Sequence, residues 1–408
     1  MDNNALKNCA LQKALQTIFR NVRRLPFESV ALKNAQYRIA SGDIAASMPE
    51  PSFDESTRDG YVLSRHAGPK ENLNRYTIVD EIPAGKPYWH SLTPGTACRI
   101  MTGGCVPKGS QRVVPYEPCV EQNGEVIVPE HFLQAAETFI RKTGSEIAGG
   151  DRLVSAGTIL QAGHLALLAS CGMPSVEVSA RPAVGYVCTG SELISGAEKL
   201  ETGQKVSSNS FLIGGLSASV GASLENLGIL RDNDRDMLDL FMKVKKSKLD
   251  VVVSTGGMGP GKYDLVERTF VEAGGKVIFN EISMRPGKSI LFGILEHTLF
   301  FGLPGPPHAV RTLLNELVGP ALVAMQGAIG TWPKKMEAHI QHQINIKRND
   351  LLRVKDAMLT TKKGKCMVRF AEQLEMPNCF ILLPPGKPCY LEGELVDIHL
   401  ANTLSGGM

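Results

Sequence analysis

The sequence lacks several features that would place it in a specialised class of protein. It has no run of about 18 uninterrupted apolar residues, the length that a membrane-spanning helix needs, and its first residues show no signal-peptide pattern. Neither sign of charge dominates, since 44 basic residues oppose 41 acidic ones. A general nucleic-acid binder relies on a basic excess. We therefore expect a cytoplasmic protein with no membrane or nucleic-acid partner.

The spacings typical of zinc sites and disulfide frameworks are missing as well. The nine cysteines include no CxxC pair, and the nine histidines include no HExxH motif. Dispersed cysteines in odd number favour buried thiols over metal ligands or disulfides. Any anion site must be local, because the net charge is only +3.

The chain is long enough for several domains, and its patterns change along its length. Helical periodicity comes first, then short β-rich runs between Gly/Pro turns, then alternating strands and helices, then short alternating runs again. We predict an α/β multidomain protein. Its parts are an N-terminal linker and helical domain (1–52 and 139–180), an inserted β domain (53–138), an α/β domain (181–328) and a small C-terminal β domain (329–408).

The α/β region is expected to form a mostly parallel sheet covered by helices on both faces, with ligands at the carboxyl ends of its strands. Three loops of small residues follow predicted strands there. They begin at Thr189-Gly190, at Gly256-Gly257 and at Pro304-Gly305. Three such loops in one unit indicate a shared crevice.

The glycine-rich loop at 254–264 resembles a phosphate-binding P-loop but departs from it. Gly256 to Lys262 reads G-x-x-x-x-G-K, with Tyr263 where a magnesium-binding Ser or Thr is needed. Pro260 also removes a backbone N–H that would point at the anion. An NTPase is therefore disfavoured. A tight turn and a loop that lets a ligand approach the backbone both stay open.

Two charged segments allow either a structural or a functional interpretation. The turn M-R-P-G-K-S at 284–289 carries Arg285 and Lys288, which are either solvated surface cations or partners of an oxyanion. The segment F-D-E-S-T-R-D-G-Y-V at 53–62 concentrates three carboxylates, which either make caps and turns or hold Mg²⁺.

Eight segments occur in the order known from one protein family. They are FDESTRDGY, EIPAGKP, RIMTGGCVPKGSQRVVPYE, IRKTGSEIAGGDRL, PAVGYVCTGSEL, STGGMGPGKYD, MRPGKSI and FFGLPGPP. In this order and over nearly the whole chain, they resemble the molybdopterin molybdenumtransferase family, which includes the E domain of gephyrin. The resemblance implies a four-domain, elongated homodimer. It would bind adenylated molybdopterin, take up molybdate and, with Mg²⁺, insert the metal while AMP is released; tungstate has the same charge and nearly the same size.

The resemblance also implies roles for particular residues. It assigns catalysis to Asp59, Asp264 and Lys288, and Mg²⁺ binding to Asp59, Asp264 and Glu192. The residues that it assigns to ligand contacts are Thr102, Gly103, Thr189, Gly190, Glu192, Ser208, Asn209, Gly256, Gly257, Gly261, Arg285, Pro286, Gly287, Pro304, Gly305 and Arg353.

Several residues depart from the family pattern. Carboxylates expected in three motifs are replaced by Ser191, Ser207 and Lys262. The other departures are Gly259 and Pro260 in the glycine loop, Pro306 for an asparagine, and Gln373 near an expected serine. Fewer carboxylates should weaken magnesium binding. Three functions stay open: an active insertase, a pterin- or oxyanion-binding paralogue without turnover, and a phosphoanhydride hydrolase related to the competence-damage pyrophosphatases.

Overall fold

The computed structural model describes residues 9–65, 74–86, 90–196, 199–258, 265–330 and 333–401. The N-terminal helix Leu11–Asn21 buries Leu11, Ala14 and Ile18 in a core that it shares with the α/β unit. A second helix spans Ala162–Ser170, and Gly172 follows it with a left-handed φ of 73°. No helix in the described ranges has the length and apolar character needed to cross a membrane.

Three small antiparallel ladders join the segments that flank the inserted β region. They pair Phe27–Ala31 with Ser175–Ser179, Ile44–Ala45 with Arg152–Val154, and Glu55–Ser56 with Ile140–Arg141. Residues 27–56 are thereby held against residues 140–179. The domain boundaries given above stay predictions.

The inserted sheet has six strands, all antiparallel to their neighbours except one pair. In spatial order the strands are Ser110–Pro115, Gly60–Ser64, Thr96–Ile100, Arg75–Ile82, Glu125–Ile127 and Val120–Gln122. Apolar residues are buried on both faces, for example Tyr61 and Leu63 on one and Val62 on the other. The short helix Glu130–Gln134 is tied to the sheet by Arg112, which donates hydrogen bonds to the carbonyls of Phe132 and Ala135.

The α/β sheet also has six strands. In spatial order they are Ser223–Leu230, Ala183–Thr189, Val251–Thr255, Thr298–Leu303, Ser289–Leu295 and Lys276–Glu281, and the first four are parallel. The last two are antiparallel to their neighbours, so the prediction of a mostly parallel sheet holds for only one part of it. The reason is a two-residue turn at Glu296-His297, which is too short for a parallel crossover.

Helices cover both faces of this sheet. They are Asn209–Ser219, Asp234–Lys246, Leu265–Glu272, Pro307–Leu313 and Gly319–Gln326, the last two joined by a π-helical turn at Leu314–Val318. Alternate strand residues enter two separate cores. Val251, Val253 and Phe301 pack on one face, whereas Val252 and Phe300 pack on the other. A strand buried on both faces reads as a continuous apolar run, as DVVVST does.

The C-terminal strands close into a five-stranded barrel, because Leu352–Lys362 pairs with both Lys365–Phe370 and Cys379–Leu383. The remaining barrel strands are Lys335–Ile340 and Leu395–Leu400, and a short ladder joins Ile344–Asn345 to Cys389–Tyr390. The strand Met284–Arg285 leaves the α/β unit and pairs in parallel with Leu352 and Arg353. This pairing fixes the barrel beside the α/β sheet.

Candidate functional site

A cavity of about 1350 Å³ lies at the carboxyl ends of the parallel strands, and we call it the first cavity. The loops after Ala183–Thr189, Val251–Thr255 and Thr298–Leu303 line it. Nine predicted site residues meet there: Thr189, Gly190, Glu192, Ser208, Asn209, Gly256, Gly257, Pro304 and Gly305. The three loops therefore share one crevice, as the sequence predicted.

Glycine is required where two of these loops touch. Gly256 has φ of 99°, and a Cβ atom added to it would lie 2.2 Å from the carbonyl oxygen of Thr189. Gly257 has φ of 66°, and its added Cβ would lie 2.8 Å from Val266. Close approach of the two strand ends thus depends on side-chain-free residues, which also expose backbone to the cavity.

We expect Gly256→Ala to destabilise the protein by at least about 2 kcal/mol, because the new methyl group overlaps backbone and the left-handed φ is strained. Urea unfolding of both proteins measures this. Gly215→Ala on the helix Asn209–Ser219 is the control, since nothing lies within 4 Å of its added Cβ. That variant should be neutral or slightly stabilised, and equal losses in the two variants would contradict the expectation.

Several polar atoms of the first cavity are buried without a hydrogen-bond partner among the described residues. They are the Oγ of Ser207, the Oδ1 of Asn209 and the Oγ1 of Thr255. Asn209 is oriented by its other side-chain atom, since Nδ2 donates to the carbonyl of Gly305 at 2.9 Å. An unmet buried polar group costs about 1–3 kcal/mol. These atoms are therefore suited to binding a polar ligand.

The acidic side chains of the first cavity include two that the sequence did not predict. Asp232 accepts a hydrogen bond from the backbone N–H of Ser191 at 3.2 Å, and Asp234 pairs with Arg268 at 2.5 Å. The signal that could have found Asp232 is the strand Ser223–Leu230, which ends two residues before it. Its edge position leaves many side chains exposed, so its apolar pattern is weak.

Three of the departures from the family pattern, Ser191, Ser207 and Pro306, also line the first cavity. Within the ranges that the structure describes, no cluster of three or more His, Cys, Asp or Glu residues could hold a metal ion by itself. The predicted site residues Asp264 and Gly261 lie outside the described residues, as do the departures Gly259, Pro260 and Lys262.

A second cavity of about 600 Å³ lies between the α/β unit and the barrel. It brings together five predicted site residues: Arg285, Pro286, Gly287, Lys288 and Arg353. The parallel pairing of Arg285 with Arg353 explains their proximity. Lys355 and His308 also line the cavity, and its carboxylate, Asp356, is paired with Arg311. The second cavity is therefore basic.

Three cations of the second cavity, all of them predicted site residues, already have partners within the chain. The Nζ of Lys288 lies 2.6 Å from Glu281 Oε1, and a guanidinium nitrogen of Arg285 lies 3.6 Å from Asp350. Arg353 donates two hydrogen bonds to the carbonyl of Arg348, at 3.0 and 2.8 Å. An incoming anion must share or replace these contacts.

The predicted residues Asp59, Thr102 and Gly103 meet in a third place, at the ends of the neighbouring inner strands Gly60–Ser64 and Thr96–Ile100 of the inserted sheet. Asp59 Oδ1 accepts hydrogen bonds from the backbone N–H and the hydroxyl of Thr102, at 2.7 and 2.8 Å. These bonds lower the pKa of Asp59, with the backbone bond contributing most. In the described part of the chain, Asp59 is not among the residues lining either cavity.

We expect Thr102→Val to raise the pKa of Asp59, because the ionised carboxylate loses the hydroxyl donor. A lowered pKa favours the ionised form in the folded protein, so this interaction stabilises the fold at neutral pH and is lost as the pH falls through the lowered value. NMR titration of labelled aspartate carboxyl groups measures the shift. Thr143→Val removes the equivalent hydroxyl from Asp54 and should leave Asp59 unchanged; a shift in both variants or neither would contradict the assignment.

Comparisons with known proteins identify the families that the chain resembles. A family model described as the MoeA N-terminal region (domain I and II) matches residues 9–172, and one described as a probable molybdopterin binding domain matches residues 185–324. The chain is 29% identical over 407 residues to a molybdopterin molybdenumtransferase of Staphylococcus aureus (strain MSSA476), covering 96% of each protein.

Solved structures give the same result. The crystal structure of a molybdopterin biosynthesis MoeA protein from Pyrococcus horikosii has a TM-score of 0.82 at 25% sequence identity, covering 98% of this chain and 100% of that one. A molybdenum cofactor biosynthesis protein from Pyrococcus furiosus shares the fold, with a TM-score of 0.58 at 19% identity over 97% of this chain and 100% of that one. The predicted multidomain α/β fold is confirmed.

Proposed function

The chain belongs to the MoeA family of molybdopterin molybdenumtransferases, which act in molybdenum cofactor biosynthesis, and on this premise we propose that it inserts molybdenum into adenylated molybdopterin with release of AMP. The observation that carries the proposal is the pair of cavities. A large cavity over the parallel strands, with unpartnered polar atoms in its lining, suits a pterin nucleotide, and a basic cavity beside the barrel suits an oxyanion.

The first cavity is the proposed site of adenylated molybdopterin. Its volume of about 1350 Å³ exceeds the range of about 300–1000 Å³ usual for a drug-sized ligand, which fits a dinucleotide-sized substrate. The unpartnered polar atoms of Ser207, Asn209 and Thr255 would bind its polar groups. The backbone at Gly256 and Gly257 would approach its phosphates closely.

Glu192 and Asp232 are the described residues that would hold Mg²⁺ in the first cavity. Protein-bound Mg²⁺ takes one or two carboxylates and completes its shell with substrate phosphates and water, so a pair of carboxylates fits it. Bound there, the ion would make the phosphoanhydride more electrophilic. Asp264 is a further proposed ligand on the strength of the resemblance alone.

The second cavity is the proposed site of molybdate. Arg285, Lys288 and Arg353 carry three positive charges toward a dianion that needs several donors. Cations placed where charge accumulates also stabilise the transition state of a group transfer. Tungstate would compete there, because its charge and size are nearly the same.

Asp59 is proposed to act from a second subunit. Its carboxylate is ionised and held by Thr102, yet within one chain the described lining of the two cavities does not include it. In the homodimer that the resemblance implies, the inserted sheet of one subunit would bring Asp59 to the first cavity of its partner. Its proposed role is to orient the reacting phosphate and the metal ion.

A second function is favoured by the composition of the first cavity. Ser191 and Ser207 line it where the resemblance expects carboxylates, and Pro306 stands for an asparagine. A protein with these changes could bind the pterin nucleotide without turning it over, and so act as a carrier or regulator. Asp232, which contacts Ser191, favours the active enzyme because it supplies a carboxylate at that position.

One assay distinguishes the two proposed functions, the insertase and the carrier. Purified protein is incubated with adenylated molybdopterin and Mg²⁺, with and without molybdate, and AMP is measured by chromatography. We expect AMP release that molybdate stimulates. Tight binding without release would contradict the insertase and support the carrier, whereas release that is fast without molybdate would support a phosphoanhydride hydrolase.

A further inference from the structure

Glu281 holds the key cation of the second cavity in its anion-free state. Its carboxylate lies 2.6 Å from the Nζ of Lys288. The pair is built into one hairpin, because Glu281 pairs with Ser289 and the backbone N–H of Ile282 donates to the carbonyl of Lys288 at 3.0 Å. The two side chains are therefore neighbours by backbone geometry and not by chance contact of two flexible groups.

In the described part of the chain, two carboxylates contact the predicted oxyanion-binding residues, and the Glu281 contact is the tighter one. The side chain of Glu281 is 24% exposed, whereas that of Asp350, the partner of Arg285, is 58% exposed and 3.6 Å away. A closer and less solvated pair is screened less by water and salt. Among the residues that the structure describes, Arg353 is held by the neutral carbonyl of Arg348. Freeing Lys288 from its present partner therefore costs an incoming oxyanion more than freeing Arg285 or Arg353.

We propose that Glu281 is a positioning residue that competes with the oxyanion for Lys288 and thereby keeps oxyanion affinity low. The inference rests on the proposed oxyanion site in the second cavity. When a dianion enters, its oxygens accept the hydrogen bonds of the Lys288 ammonium group, and the negative charge of Glu281 stays nearby and opposes the dianion. Low affinity lets unreacted oxyanion leave the site quickly.

The test is isothermal titration of the full-length protein with molybdate. Two unit charges about 6 Å apart in a water-like dielectric interact by about 0.7 kcal/mol, and a dianion doubles this. Repulsion alone predicts that Glu281→Gln tightens molybdate binding about tenfold, and the end of competition for Lys288 should add to this gain. For perrhenate, a tetrahedral monoanion, the gain should be only about threefold.

Two further variants make the test specific. Glu272→Gln removes the same charge from the exposed end of the helix Leu265–Glu272, outside the lining of both cavities, and should leave molybdate affinity unchanged. In a Lys288→Ala background the direct repulsion between Glu281 and the dianion remains, but the competition for Lys288 is gone. The gain from Glu281→Gln should therefore be smaller there than in the unmodified background, and equal gains in the two backgrounds would contradict competition for Lys288. Thermal unfolding of each variant checks that it is folded.

The possible failures are distinguishable. If the unmodified protein binds molybdate and Arg353→Ala weakens that binding, but Glu281→Gln leaves it unchanged or weaker, the role of Glu281 is overturned while the oxyanion site stands. If the unmodified protein does not bind molybdate, the proposed oxyanion site is overturned together with this inference. The same holds if neither Arg353→Ala nor Lys288→Ala changes the affinity of the protein for molybdate.

Discussion

Asp59→Asn should lower the rate of molybdate-stimulated AMP release by about 1000-fold, because the variant keeps the shape of the side chain but removes the charge. The fold should be unaffected, since the amide oxygen can still accept the hydrogen bonds of Thr102. Rate and thermal midpoint are measured on the same preparation. Asp80→Asn changes the same charge at an exposed position of the inserted sheet and should keep full activity.

Mixed dimers test whether Asp59 acts in the cavity of the partner subunit. If it does, a mixture of Asp59→Asn and Arg353→Ala chains should recover activity at a molybdate concentration too low for Arg353→Ala dimers to turn over. Half of the dimers are then mixed, and each has one intact site. The expected recovery is about a quarter of the unmodified rate. No recovery after verified subunit exchange would mean that Asp59 acts within its own chain or not at all.

Arg353→Ala should raise the molybdate concentration needed for half-maximal rate on the order of 100-fold, because the dianion loses a charged donor that it shares with Arg285 and Lys288. Arg353→Lys should show an intermediate loss, since lysine keeps the charge but lacks the planar pair of N–H groups. Initial rates of AMP release across a molybdate series measure both.

Lys362→Ala is the matched control for Arg353. It lies on the same strand, Leu352–Lys362, but at the exposed hairpin end opposite Lys365. It should not change the molybdate dependence. A similar shift in both variants would indicate a general effect of net charge and would contradict a specific site at Arg353.

The first cavity could be predicted from the sequence because its chemistry is local. The loops at Thr189, Gly256 and Pro304 each combine small residues with the end of an apolar strand, and parallel strands bring such ends to one edge of a sheet. Asp232 escaped prediction because it follows an edge strand, Ser223–Leu230, whose exposed side chains hide the apolar pattern.

The second cavity could be recognised only by resemblance. Arg285 and Arg353 are far apart in sequence, and the pairing of Met284–Arg285 with the barrel carries no local signal. The antiparallel hairpin at 289–303 was missed for a related reason. Its turn is Glu296-His297, with Glu296 at a φ of 57°, and not the Asn-Gly or Asp-Gly pair that marks such turns.

The central claim is that the protein transfers molybdenum and does not merely hydrolyse or hold its pterin substrate. The most direct measurement counts both products in one reaction: AMP released, and molybdenum that becomes bound to pterin and reactivates a molybdenum-free apoenzyme. We predict one pterin-bound molybdenum for each AMP, with both signals abolished in Asp59→Asn. AMP release without molybdenum transfer, or pterin binding without either product, would contradict the claim.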